Sequence, residues 1–100
     1  MTIKLLKRPP QGCELRLEGR LDATSSPSVQ DALLKVTGEY RDIELNLSQL
    51  SYISSAGLRV MLVVQKQVNR TGGSLILTNV GPSIMEVFEM TGFSSILQMG

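Results

Sequence analysis

Apolar residues along this chain switch period repeatedly, from every second residue to every third or fourth. Cys13, Leu15 and Leu17 alternate with Glu14, Arg16 and Glu18, and Ile43, Leu45 and Leu47 alternate with Glu44, Asn46 and Ser48. That alternation predicts half-buried strands. Val29, Ala32, Leu33 and Val36, and later Leu58, Met61, Leu62, Val64 and Val68, fall instead at helical spacing. Strands that alternate with helices are joined by crossovers, so they run largely parallel with the helices packed on the sheet.

The punctuation between these segments completes the outline. Ile3 to Lys7 and the Cys13 strand flank Pro9-Pro10-Gln11-Gly12 and read as an opening hairpin. Gly19 to Thr24 reads as a loop leading out of it. Ser26 followed by Pro27 predicts a helix start, and Gly38 its stop. The helix carrying Met61 runs to about Arg70, before Thr71-Gly72-Gly73. Leu75-Ile76-Leu77 reads as a short buried strand. Gly81-Pro82-Ser83 opens another helix, with Ile84, Val87, Phe88 and Met90 as inward candidates and Gly92 as its end. Ser95-Ile96-Leu97 offers a weak last strand. The expected order is ββαβαβαβ: an α/β fold, one domain over residues 1–100, with a mostly parallel sheet, an opening hairpin and helices packed on it. Met61, Met85 and Met90 read as core filler, Tyr52 as packing and Cys13 as a buried small apolar group.

Composition narrows the function. A chain of 100 residues, 42% hydrophobic and 19% charged, can bury a core without disulfides or metal. Ten basic and nine acidic residues leave a net charge of +1 with no basic stripe, which argues against nucleic acid as a partner. With no histidine at all, Ser-His-Asp and Cys-His nucleophiles and His-containing zinc sites are excluded. Cys13 is the single cysteine and has no internal disulfide partner. No segment reaches the ~18 apolar residues of a membrane span, and the first residues lack a signal-type apolar run. The expectation is a cytoplasmic binding module, not an enzyme, with no cofactor, no metal and no direct membrane insertion.

One segment carries more information than the rest. Ser54-Ser55-Ala56-Gly57 lies between an apolar strand and an apolar helix, at the kind of junction where α/β domains place their sites. A serine there caps the helix, and the free N–H groups beside it also suit a phosphate, bound or covalently attached. Gly57, lacking Cβ, permits close approach of another surface. The plainer reading is a capping serine and a packing glycine, and chemistry alone leaves both open. A G-x-x-x-x-G-K loop and a G-x-S-x-G elbow are both absent.

Tyr52-Ile53-Ser54-Ser55-Ala56-Gly57-Leu58-Arg59, together with Gly19-Arg20-Leu21-Asp22 before a helix, resembles the signature of the anti-sigma factor antagonists of the STAS domain family. The resemblance spans essentially the whole chain. It implies a bacterial regulator that binds an anti-sigma factor, usually a serine kinase, when unphosphorylated, and so releases a sigma factor. Phosphorylation then blocks binding and a serine phosphatase restores it. Position by position, Ser55 matches the phosphoacceptor, Gly57 and Leu58 match the pair after it, and Asp22 matches an acidic residue close to that serine. The implied partner-binding set is Asp22, Ser54, Ser55, Ala56, Gly57, Leu58 and Arg59. Many kinase-regulated members carry Asp where this chain has Ser54. Members also usually continue into an amphipathic helix after the last strand, which this chain is expected to lack. The alternative is a non-phosphorylated STAS scaffold in a membrane transport or signalling complex, with both serines only capping.

Overall fold

The computed structural model describes residues 1–98 and is built on a five-stranded sheet. The elements, in chain order, are β1 (Thr2–Arg8), β2 (Gly12–Leu21), α1 (Ser26–Thr37), β3 (Asp42–Asn46), β4 (Leu50–Ile53), α2 (Ser55–Thr71), β5 (Ser74–Thr78) and α3 (Pro82–Thr91), followed by a 3-10 turn over Phe93–Ser95. β1 and β2 form the expected antiparallel hairpin, and β3 lies parallel to both β2 and β5. The α/β architecture with a mostly parallel sheet is therefore as the residue periods dictate.

Alternation along the strands puts Cys13, Leu15, Leu17, Ile43, Leu45, Leu75 and Leu77 on one face of the sheet. That face is covered by Val29 and Leu33 of α1, Val60, Met61, Val64 and Val68 of α2, and Ile84 and Phe88 of α3. The opposite face carries a polar cluster. Glu14, only 2% exposed, is paired with Arg8 and Arg16 and accepts a 3.1 Å hydrogen bond from the Asn46 amide. Glu44 pairs with Arg8 and accepts from the Thr78 hydroxyl at 2.6 Å. A buried carboxylate with this many donors stays ionised, and the Arg16 hydrogen bond holds the Glu14 carboxyl below its ordinary value against the opposing pull of burial.

Several elements depart from the sequence reading. The segment read as a loop from Gly19 to Thr24 is strand as far as Leu21, because β2 carries on past a bulge at Gly19/Arg20, with Gly19 at φ 111°. Its extension pairs in parallel with β4, a strand the residue pattern did not reveal. β3 and β4 run in succession along β2, separated by a turn in which the Asn46 side chain accepts from the Ser48 N–H at 3.0 Å. This turn ends β3 two residues before the expected Ser48.

The expected last strand at Ser95–Leu97 is instead the end of the 3-10 turn and the turn that leaves it. The N–H groups of Ile96 and Leu97 both donate to the Phe93 carbonyl, and two apolar residues after a serine have no period of their own to decide the matter. The last strand is thus β5, and the expected helix at Gly81–Gly92 follows it as α3. Met90 is 78% exposed rather than inward, since the inner face of α3 is already filled by Ile84 and Phe88.

Candidate functional site

The carboxyl ends of β2 and β4 meet at one edge of the sheet, and both chains leave it into a helix through a Ser-Ser pair. At β4 the backbone is extended at Ser54 (φ −96°, ψ 177°) and then turns into α2. The Ser54 hydroxyl accepts from the Gly57 N–H at 3.3 Å, the Ser54 carbonyl accepts from Leu58 at 2.9 Å, and the Ser54 N–H donates to the Leu21 carbonyl at 2.9 Å. Ser54 is therefore the N-cap of α2 and also locks the helix start onto the end of β2.

Ser55 is the first residue of α2 and is exposed. Among the described residues its hydroxyl has no hydrogen-bond partner, and the N–H groups of Ser55 and Ala56 have none either. With Ser54 already capping, the Ser55 hydroxyl is left facing solvent beside the positive end of the helix dipole. Ala56 is half-buried and Arg59 exposed one turn on.

Gly57 and Leu58 point inward. A Cβ on Gly57 would stand 2.7 Å from the Leu21 carbonyl oxygen and 2.8 Å from Ile53 Cγ1, distances no real Cβ tolerates. The surface that approaches this glycine is the protein's own β2. Leu58, 6% exposed, joins the core.

Asp22 follows β2 and is half-buried. One carboxylate oxygen accepts from the N–H groups of Thr24 and Ser25, both at 3.1 Å, and from the Ser25 hydroxyl at 3.3 Å. The Ser25 backbone hydrogen bond is the main reason its carboxyl lies below the ordinary value. The Leu21–Ser54 hydrogen bond places the Asp22 backbone beside the α2 start, but its carboxylate is occupied in its own turn.

The α1 start also differs from the sequence reading. Ser25, not Ser26, holds the cap position, and its hydroxyl donates to the Arg20 carbonyl at 2.8 Å and accepts from the Asp22 N–H at 3.0 Å instead of capping the helix. Tyr52, expected to pack, is 41% exposed and lies under the Arg20 guanidinium, 4.2 Å from the ring centroid. Arg20 also approaches Asp22 at 3.8 Å. Arg20 and Tyr52 thus belong to this edge. The signal that would have found them is register: they are cross-strand partners, visible only once β4 is recognised.

Among the described residues no cluster of His, Cys, Asp or Glu could hold a metal ion, and no helix is long and apolar enough to cross a membrane.

Known proteins resemble this chain in sequence and fold. BtrV of Bordetella bronchiseptica, assigned by name as an anti-sigma factor antagonist, is 41% identical over 81 residues, covering 80% of this chain and 70% of that protein. The anti-sigma-B factor antagonist of Bacillus subtilis is 28% identical over 94 residues, covering 94% of this chain and 86% of that one. The fold superposes on the anti-sigma factor antagonist SpoIIAA in its unphosphorylated form with a TM-score of 0.76 at 22% identity, over 99% of this chain and 87% of that chain. It does so equally well on the phosphorylated form, again at 0.76, over 99% and 91%. With the family's sequence model matching residues 4–100 and the sheet, helices and serine junction all in place, the chain belongs to the STAS domain family.

Proposed function

We propose that this protein is an anti-sigma factor antagonist that works by partner switching. Unphosphorylated, it binds an anti-sigma factor that is itself a serine kinase, and a sigma factor is thereby released. The kinase then transfers the γ-phosphoryl group of ATP to the Ser55 hydroxyl, which loses its proton as ADP leaves, and the product no longer binds. A serine phosphatase restores the active form. The protein is a substrate in this cycle and not a catalyst, and it acts in the cytoplasm, where transcription is regulated.

The observation that carries this reading is the division of labour between the two serines. Ser54 caps α2, so Ser55 is free of any structural duty and exposed at a helix N-terminus. A phosphate there adds about −1.5 to −2 charges at the end of the dipole that tolerates them. The fold survives, and the consequence falls on whatever docks against this edge. Half-buried Asp22, Ser54 and Ala56 and exposed Arg59 frame the docking surface, while buried Gly57 and Leu58 hold its helix in place. The name of BtrV and the solution of SpoIIAA in both phosphorylation states support the same reading.

Affinity capture with baits carrying Ser55, Ser55→Ala and Ser55→Asp tests it. We expect the serine and alanine baits to hold an anti-sigma factor with a kinase fold and the aspartate bait to lose it, with all three baits melting alike. Capture of one partner set, such as a transport complex, equally by all three baits would instead make both serines structural.

A further inference from the structure

Arg59 stands four residues after Ser55 on α2, and side chains at that spacing share a helix face, with Cβ atoms about 5–6 Å apart. It is exposed, and among the described residues it makes no ion pair. The other guanidinium at this edge, Arg20, is engaged by Asp22 and Tyr52. Resting on Ser55 as the phosphoacceptor, we propose that Arg59 receives the phosphate once it is attached, pairing with it along the helix.

The surface beside Arg59 leaves room for its guanidinium to turn toward Ser55. A groove of about 320 Å³ runs between the starts of α1 and α2, lined by Ser26, Gln30, Asp31, Ala56 and Arg59. Ser26 is 5% exposed and its hydroxyl has no hydrogen-bond partner, an expensive state for a buried polar group. The unpartnered N–H groups of Ser55 and Ala56 lie at the adjoining start of α2 and favour an anion there.

The charges facing the groove decide the balance. Asp31 is the one carboxylate lining it, and it makes no ion pair with Arg59. A phosphate dianion tethered one turn from the guanidinium carries more charge than that single carboxylate, and a guanidinium can hold it with two hydrogen bonds. Asp22, tied into its own turn, is not a rival.

This pairing changes what phosphorylation does to a partner. The modification adds negative charge and simultaneously offsets part of the positive charge that Arg59 presents. In the unphosphorylated state the same guanidinium is available to an acidic group on the anti-sigma factor. One residue then serves the bound state and is less available in the released state.

Phosphoserine installed genetically at position 55 allows a test that needs no kinase. Phosphorus NMR titration should show the second phosphate pKa higher in Arg59→Gln than in the parent by about 0.3 unit, the size expected of an exposed pair at this spacing. Arg59→Lys should restore most of the shift. Identical titrations in all three proteins would overturn the proposal while leaving Ser55 as phosphoacceptor untouched. In the unphosphorylated protein, Arg59→Gln should weaken binding to the anti-sigma factor several-fold, and unchanged affinity would remove the second role. If the titration shifts but the kinase never modifies Ser55, the phosphoacceptor reading fails and the ion pair stands as chemistry without that use.

Discussion

The protein enters two of its helices through the same dipeptide and uses the two very differently. At α1 the Ser25 hydroxyl ties Asp22 to Arg20 and leaves the cap empty, while Ser26 is buried with its hydroxyl unpartnered. At α2 the Ser54 hydroxyl caps and Ser55 stays outside with nothing to do. The backbone makes the difference. Ser25 is already helical at φ −87° and ψ −22°, so its side chain cannot reach the first-turn amides, whereas Ser54 is extended and can. A serine pair before a helix therefore marks a candidate site only where the first serine satisfies the helix alone.

The sharpest way to break the contrast is at the glycines that go with each helix. Ala is favoured over Gly in a helix by about 1 kcal/mol, but Gly57→Ala would drive a Cβ into the Leu21 carbonyl. We expect a net loss of about 2–3 kcal/mol, and a melting temperature about 10 °C lower or more. At the end of α1, Gly38 sits at an ordinary φ of −82°, and a Cβ there lies 3.4 Å from the Lys35 carbonyl. Gly38→Ala should stay within about 0.5 kcal/mol of the parent. Equal melting for the two variants would mean that α2 is not pinned to β2 through Gly57.

A cap should respond less strongly but more specifically. Ser54→Ala should cost about 1 kcal/mol, and Ser54→Asp should keep the cap and lose nothing, since a carboxylate suits a helix N-terminus. Amide hydrogen exchange separates the two pairs. Ser54→Ala should expose the Gly57 amide, while Ser25→Ala should expose the Asp22 amide and leave the first turn of α1 as it was. Faster exchange in the first turn of α1 for Ser25→Ala would show that Ser25 caps after all.

How much of this was legible in the sequence follows from the same local rules. The second strand of the hairpin, the helices and β3 each had a clear period, the Pro9-Pro10-Gln11-Gly12 turn supplied β1, and their order was enough for an α/β sheet. β4 was not legible, because Leu50-Ser51-Tyr52-Ile53 is four residues long and its pairing is made by a bulged extension of β2. Missing it also hid the Arg20–Tyr52 stack, which is a cross-strand contact. The serine junction was visible as a motif, and its assignment to a family came from resemblance. Which serine caps depended on dihedral angles that no spacing reports, and the failed cap at Ser26 shows the limit of the rule. Met90 failed for a related reason, because a helix of ten residues had already filled its inner face with Ile84 and Phe88.

The smallest effect separates Asp22 as a builder of the α1 entry from Asp22 as a charge aimed at the α2 serine. Hydrogen bonds from Ser25 hold its carboxyl below the ordinary value of 3.8 in the folded state. A depressed carboxyl stabilises the fold above that ordinary value, and the contribution disappears as the pH falls through the folded value. Asp22→Asn keeps an oxygen that can accept from Thr24 and Ser25 but removes the charge. It should therefore be less stable than the parent at neutral pH, with the gap closing below 3.8. Glu14 titrates in the same direction, its carboxyl lowered chiefly by Arg16, but it is present in both proteins and cancels in the difference. Urea midpoints measured for the pair across the acid range give that difference directly. A gap that stays constant with pH would mean the Asp22 charge contributes nothing to the turn, leaving it free to act on whatever occupies Ser55.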